Sequence, residues 1–315
     1  MGKDGDDGAA SMRIDQRLSV VMSVYNAGEY LGEAVDSLLS QTVRAAEIIL
    51  IDDGSTDGSL ERIRAYEAEE PSIRVIADGE NRGLTKRLNQ GIAEARGSLI
   101  ARMDSDDICE PDRFEKQLAA IDQDPQLVLV GSRYLVVDPQ GEPLTDFKVP
   151  LAHEEIERWL IEGTGQAVLH PSVIMRRDAV QSVGGYDETY RYAQDLDLFL
   201  KLAEVGRLRN LDGRLMRYRA HFSASGYDKR AEQERCVQAI REDARKKRGL
   251  QPVAGQVRTR QAESRAVTYR RWGWWALGIK NRKAARRYAL AGVAREPLSA
   301  EGWKLLLVSL KQSLT

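Results

Sequence analysis

The chain has no long apolar run, only two cysteines and only three histidines. No stretch approaches the roughly 18 consecutive apolar residues that would cross a bilayer, and the mean hydropathy is -0.45. Cys109 and Cys236 make neither a disulfide framework nor a CxxC metal pair. The opening MGKDGDDGAASM is acidic and glycine-rich, which excludes a secretory signal or a transit peptide, and residues 1–16 read as a disordered leader. No Gly-x-Gly-x-x-Gly and no Walker lysine follows the first apolar segment, which argues against a dinucleotide or P-loop site. These absences predict a cytoplasmic protein. The 315 residues, 42% hydrophobic and 30% charged, suit one large domain or a domain with a small appendage.

The net charge of -1 conceals an asymmetry. Residues 241–315 hold 18 Lys and Arg against five Asp and Glu, whereas residues 1–240 carry a net -14. A basic tail docked on an acidic body is one reading of that split.

Apolar patterning predicts strands at 18–24, 47–51, 73–76 and 98–103, alternating with helices over about 31–41, 59–69 and 84–96. Strands alternating with helices imply a mostly parallel sheet with helices on both faces. Ligands of such sheets bind beyond the carboxyl ends of the strands. Tyr25-Asn26, Asp52-Asp53 and Asp104 to Asp107 all fall there. A further strand is expected at 127–137, helices at 153–162, 195–205 and 229–249, a linker at 249–255, and two or three helices over 261–315. The predicted domains are a catalytic unit over 17–249 and a basic helical extension over 250–315.

Three carboxylate groups carry the chemistry. DSDD at 104–107 can present several oxygens to one hard divalent cation, or it can be a solvated turn with Asp106 or Asp107 capping the helix near Pro111. Asp53 follows the second strand beside Tyr25, whose ring could stack on a base; Asp57 and Ser59 read as helix caps. Asp195, in AQDLDLFLKL, is either a general base or a cap at a helix start.

The blocks LSVVMSVYNAGEYLGEAVDSLLSQ, IILIDDGSTDGS, NRGLTKRLNQGIAEARG, ARMDSDDICEPDRFEKQ, HPSVIMRRDAVQSVGGYDETY and AQDLDLFLKLAEVG resemble, in order, those of family-2 glycosyltransferases with the GT-A fold. The resemblance spans about residues 18–225. It implies an α/β, Rossmann-like sheet and an inverting, Mn²⁺- or Mg²⁺-dependent transfer from a nucleotide-sugar donor of bacterial polysaccharide type. Carried over by position, Ser23 and Tyr25 would line the nucleoside pocket and Asp53 would contact the base. Asp104 and Asp106 match the family's metal-binding DxD, with Asp106 the favoured ligand and Asp104 nearer the ribose. Lys86 and Asn89 would lie near the donor's ribose and phosphates. Asp195 would be the acceptor-activating base, with Gln194 replacing the family's glutamate. Gly184, Gly185, Tyr186 and Asp187 would shape the acceptor side. His221 stands where relatives often carry a histidine near the diphosphate or metal; His170 reads as packed. UDP is the expected nucleotide, with dTDP and GDP as alternatives, and the acceptor a glycan or lipid-linked hydroxyl.

A nucleotidyltransferase and a non-catalytic nucleotide-sugar-binding protein are the rival readings. The first lacks its glycine-rich basic segment here, since Tyr25-Asn26-Ala27-Gly28-Glu29 follows the first strand; the second has no use for a base at Asp195. Nucleic acid is not an expected partner. Residues 266–310 mix Tyr269, Trp272, Trp274 and Trp275 with Lys280, Arg282, Lys283, Arg286 and Arg287, then add Trp303, Leu306, Leu307 and Leu310. That mixture fits either an anionic membrane surface, which would put the protein on the inner face of the cell membrane, or a helical hairpin with its tryptophans inside.

Overall fold

The computed structural model describes residues 13–163, 166–222, 230–251 and 264–311. The first strand, β1 (Arg13–Val24), begins inside the stretch expected as leader, because Arg13 already pairs with Val43 of β2 (Val43–Asp52). Helix α1 (Leu31–Leu39) joins them, and α2 (Ser59–Glu69) leads to β3 (Ile73–Ile76). Helix α3 (Leu84–Glu94) precedes β4 (Leu99–Asp104), and short β5 (Ile108–Cys109) precedes α4 (Arg113–Gln123). After these come β6 (Leu127–Val137), β7 (Pro143–Phe147), α5 (His153–Glu162), β8 (Ile174–Arg176) and α6 (Arg177–Ser182). Helix α7 (Gln194–Val205), β9 (Arg207–Arg219) and α8 (Arg230–Lys247) follow. Three helices end the described chain: α9 (Arg265–Gly278), α10 (Arg282–Arg295) and α11 (Ala300–Leu310).

The sheet runs β3-β2-β1-β4-β8-β6-β9-β5, with β7 pairing antiparallel with β6 off this path. Its first four strands are parallel, as alternation with helices requires, and β8 enters antiparallel between β4 and β6. Alternation along β1 divides the interior. Val20, Met22 and Val24 face α1, α2 and α4, while Val21 joins Ile49 and Ile51 against α3. Helix α3 packs so closely that a Cβ on Gly91 would come within 2.4 Å of Val21 Cγ1, so only glycine fits there.

The C-terminal helices are continuous with this core. Trp272, Ala276, Ala284, Ala285 and Tyr288 are buried in the same cluster as β1 and α1. Trp275 meets Phe147 of β7 edge-on at 6.1 Å, and Phe147 stacks on Tyr134 of β6 at 5.3 Å. The hairpin reading therefore holds for Trp272 and Trp275, and Leu306 points inward as well. The basic tail also docks on the acidic body, through Arg248 with Glu157 and Glu204 and through Arg287 with Asp138. The expected linker lies largely outside the described residues. Among those residues, no helix is long and apolar enough to cross a membrane.

Candidate active site

Strand order and register bring the carboxyl-end loops together. Val24 pairs with Asp52 and Ser23 with Asp104, so the exits of β2, β1 and β4 are adjacent. Tyr25, on the rim, is 54% exposed, which leaves its ring face open. Asn26 adopts φ 48°, a left-handed conformation asparagine tolerates. Its Oδ1 accepts the Thr56 N–H at 2.8 Å, tying the β1 loop to the β2 loop. Asp57 accepts the amides of Gly28 and Ser59, and Ser59 Oγ accepts that of Ala27.

Asp53 is buried and heavily bonded. Its carboxylate accepts the Arg82 N–H at 2.7 Å, the Gly83 N–H at 3.0 Å and Arg87 Nε at 2.8 Å. Arg87 is fully buried, and its other nitrogens reach Asp78, Gln90 and the Glu80 carbonyl. Asp53 thus anchors the entry to α3 from the end of β2. Asn89 Nδ2 donates to the Tyr186 carbonyl at 2.8 Å and Oδ1 accepts the Tyr186 N–H at 3.0 Å, so its amide clamps the Gly184–Gly185–Tyr186 loop. Lys86 is exposed one turn earlier, beside a groove lined by Glu80, Arg82, Asn89 and Glu188.

The DSDD loop gathers Asp104, Asp106 and Asp107, whose ligand oxygens lie within 4.8 Å of one another. Neither Asp106 nor Asp107 caps α4, whose N-cap is Asp112 without a side-chain cap bond. Asp104 forms an ion pair with Arg102, two residues earlier on the same face of β4. Asp106 Oδ2 lies 2.9 Å from His221 Nε2. Asp107 Oδ1 accepts the Arg219 N–H at 2.8 Å, while its buried Oδ2 has no hydrogen-bond partner among the described residues. Burial raises the pKa of Asp104, opposed by Arg102 and reinforced by Asp106. Burial also holds Asp107 well above the ordinary carboxylate range, with repulsion from Asp106 and Asp104 adding to it. Crowded hard oxygens with an unpartnered buried lone pair suit Mg²⁺ or Mn²⁺. His221 Nδ1 is likewise buried and without a partner among the described residues.

Asp195 occupies the first turn of α7. Ala193, immediately before that helix, takes φ 59°, a left-handed conformation that costs an alanine about 1–2 kcal/mol and aims the turn. Burial raises the Asp195 pKa, opposed by the α7 amide of Leu196 and by Arg102. Asp197 points elsewhere and pairs with Lys201 at 2.6 Å. His170 is a packed residue: its Nε2 lies 2.7 Å from the Tyr186 hydroxyl, and burial keeps its pKa well below the usual value.

Three features escaped the sequence reading: Arg87, Arg102 and Arg219; Asp107, read within DSDD as a cation ligand or a helix cap, joins Asp104 and Asp106 in one cluster. Arg102 left a signal, a charge in the otherwise apolar strand LIARM, two residues before Asp104 on the same face. Arg87 and Arg219 left none.

Residues 19–184 match the sequence profile of Glycosyl transferase family 2. The chain belongs to that family. It is a glycosyltransferase, similar to Amylovoran biosynthesis glycosyltransferase AmsE of Erwinia amylovora, with 34% identity over 64% of this chain and 76% of that one. Putative glycosyltransferase EpsE of Bacillus subtilis is also 34% identical, over 68% of this chain and 76% of that one. Among solved structures, S. aureus TarS in complex with UDP-GlcNAc superposes with a TM-score of 0.59 at 18% identity, over 94% of this glycosyltransferase and 80% of TarS. The mannosyltransferase PcManGT from Pyrobaculum calidifontis, with GDP-Man and Mn²⁺, gives 0.55 at 17% identity, over 93% and 79%. These likenesses establish the GT-A-type fold.

Proposed function

We propose that this glycosyltransferase transfers a sugar, with inversion, from a UDP-sugar to a hydroxyl of a glycan or lipid-linked acceptor. The observation that carries the reading is the convergence of Tyr25, Asp53 and the DSDD loop at the carboxyl ends of adjacent strands, with Asp195 near enough for its charge to act on Asp104. Tyr25 stacks on the base and Asp53 accepts from its ring N–H. Ser23 lines the same pocket. Asp104, held by Arg102, faces the ribose, with Lys86 and Asn89 on the donor side.

Asp106, with Asp104 or Asp107 and His221, would hold a divalent cation; once bound, it supplies positive charge against the departing diphosphate. Asp195 removes the acceptor proton as the acceptor oxygen attacks the anomeric carbon from the face opposite the nucleotide. Its raised pKa makes it a stronger base than an ordinary carboxylate. A binding protein without catalysis has no need of that group.

The test is thermal stabilisation across nucleotide-sugars with and without Mn²⁺. Wild type is expected to respond to UDP-sugars, more strongly with metal, and Asp106→Ala to lose the metal-dependent part. Equal responses with and without metal, together with full activity in excess EDTA, would overturn the metal reading.

A second feature bears on the acceptor. On α11, Trp303, Leu307 and Leu310 face outward, with Leu307 61% exposed, beside Lys304 and Lys311. An apolar stripe flanked by cations suits the interface of an anionic membrane and would bring the enzyme to a lipid-linked acceptor on the cytoplasmic face. Trp272 and Trp275 take no part in this contact.

A further inference from the structure

We propose that the α9–α10 pair is a positioning element of the acidic cluster, and that Tyr288, Arg287 and Phe222 transmit its position to Asp106, Asp107 and His221. The proposal rests on the metal reading of that cluster and extends it to a part of the chain remote in sequence.

The first link passes through two buried ionic groups. Asp138, at the end of β6, is completely buried, and a carboxylate there must be fully partnered. Its Oδ1 accepts the amides of Gln140 and Glu142, both at 2.9 Å, which fixes the turn. Its Oδ2 accepts the Tyr288 hydroxyl at 2.8 Å and the Arg287 guanidinium, both from α10. The carbonyls of that turn hold Arg219. Arg219 Nη1 donates to the Pro139 carbonyl at 3.0 Å and to that of Asp138 at 3.5 Å. The same guanidinium donates through Nε to the Asp106 carbonyl at 3.0 Å, and Nη2 reaches Glu33. The backbone N–H of Arg219 holds Asp107 Oδ1. A guanidinium is a rigid planar fork, so displacing the 138–139 turn tilts the donor that fixes Asp106.

The second link runs through the next residues of the chain. His221, on Asp106, lies with its ring 5.1 Å from that of Tyr30, and the Arg219 guanidinium sits 4.7 Å over the same Tyr30 ring. Phe222 then enters an aromatic cluster of the helical pair, 5.2 Å from Trp272 and 5.3 Å from Tyr269. Trp272 packs edge-on against Tyr288 at 5.2 Å, so both links meet at Tyr288. Closely packed aromatics and satisfied buried charges transmit displacement rather than absorb it.

The test is direct Mn²⁺ binding, by titration calorimetry in the presence of UDP, on wild type, Tyr288→Phe and Phe222→Leu full-length chains. Tyr288→Phe keeps the ring and removes only the hydroxyl; Phe222→Leu keeps a bulky apolar side chain. Each should weaken Mn²⁺ binding by about fivefold, the order expected for one lost hydrogen bond or its equivalent in alignment. Excess Mn²⁺ should restore kcat, which a purely structural lesion would not allow. Wild-type Mn²⁺ affinity in both variants, or a kcat loss that excess Mn²⁺ leaves untouched, would overturn the proposal. Absence of Mn²⁺ binding by the wild type itself would overturn the metal reading and this inference with it.

Discussion

Removing the Asp53 carboxylate separates its structural from its ligand-binding role. In the ligand-free protein Asp53 accepts from two α3-entry amides and from Arg87, a side chain with no solvent access. Breaking one side of such a buried pair typically costs about 3–5 kcal/mol. Arg87 retains Asp78 as a second partner, so the lower end applies, about 3 kcal/mol for Asp53→Ala. Asp53→Asn keeps an oxygen for the amides and loses only charge assistance, about 1–2 kcal/mol. Arg87→Met should cost about 3 kcal/mol, and Asp53→Asn with Arg87→Met less than the sum, with a coupling of at least about 1 kcal/mol. Urea unfolding followed by circular dichroism without ligand measures the four variants against wild type. At this chain length, about 3 kcal/mol corresponds to a thermal shift of roughly 4–5 °C. Ligand-free stability of Asp53→Ala within about 0.5 kcal/mol of wild type would refute the anchoring role and leave Asp53 a ligand residue alone.

Asp195→Asn should lower kcat by about 10²- to 10⁴-fold while retaining nucleotide binding, and undiminished turnover would return Asp195 to a capping role. Because its pKa is raised in the folded chain, wild-type kcat/KM should fall on acidification at a pH above the ordinary aspartate value of 3.8; an acid limb at or below that value contradicts the burial argument. The same shift means that the folded state binds the proton more tightly than the unfolded one, so this group's contribution to stability grows as pH falls through the folded pKa. On anionic vesicles at low salt, wild type should float and be released by high salt, whereas Trp303→Glu with Leu307→Glu should remain in solution; equal flotation of the two would remove α11 as the contact. Substitution on the outer face of α11 is preferable to deleting the tail, because deletion would uncover the core around Trp272.

The elements read from sequence were those with strong local patterns. IRVI at 73–76, LVLVGSRYLVV at 127–137 and the helices at 59–69 and 153–162 match their structural bounds, because period and length alone distinguish them. Strand β9, RLRNLDGRLMRYR, went unread. Its charges and glycine suggest a loop, and pairing with β6 and β5 makes it a strand. Three-residue β8 is too short to carry a period at all.

The same boundary divides the site. The motif order along the chain was enough to assign the family, the fold and the rim where the loops of Tyr25, Asp53, Asp104 and Asp106 meet, because strand ends in a parallel sheet have fixed positions. Only the tertiary structure gave Arg87 to Asp53, and Arg219 to Asp106 and Asp107. A buried arginine is identical in sequence to a solvated one, and its partners here lie up to 186 residues away. Tertiary structure also divided the tryptophans, with Trp272 inside and Trp303 outside. A helix that is apolar on more than one face does not encode which face meets the body; the shape of the neighbouring surface decides that.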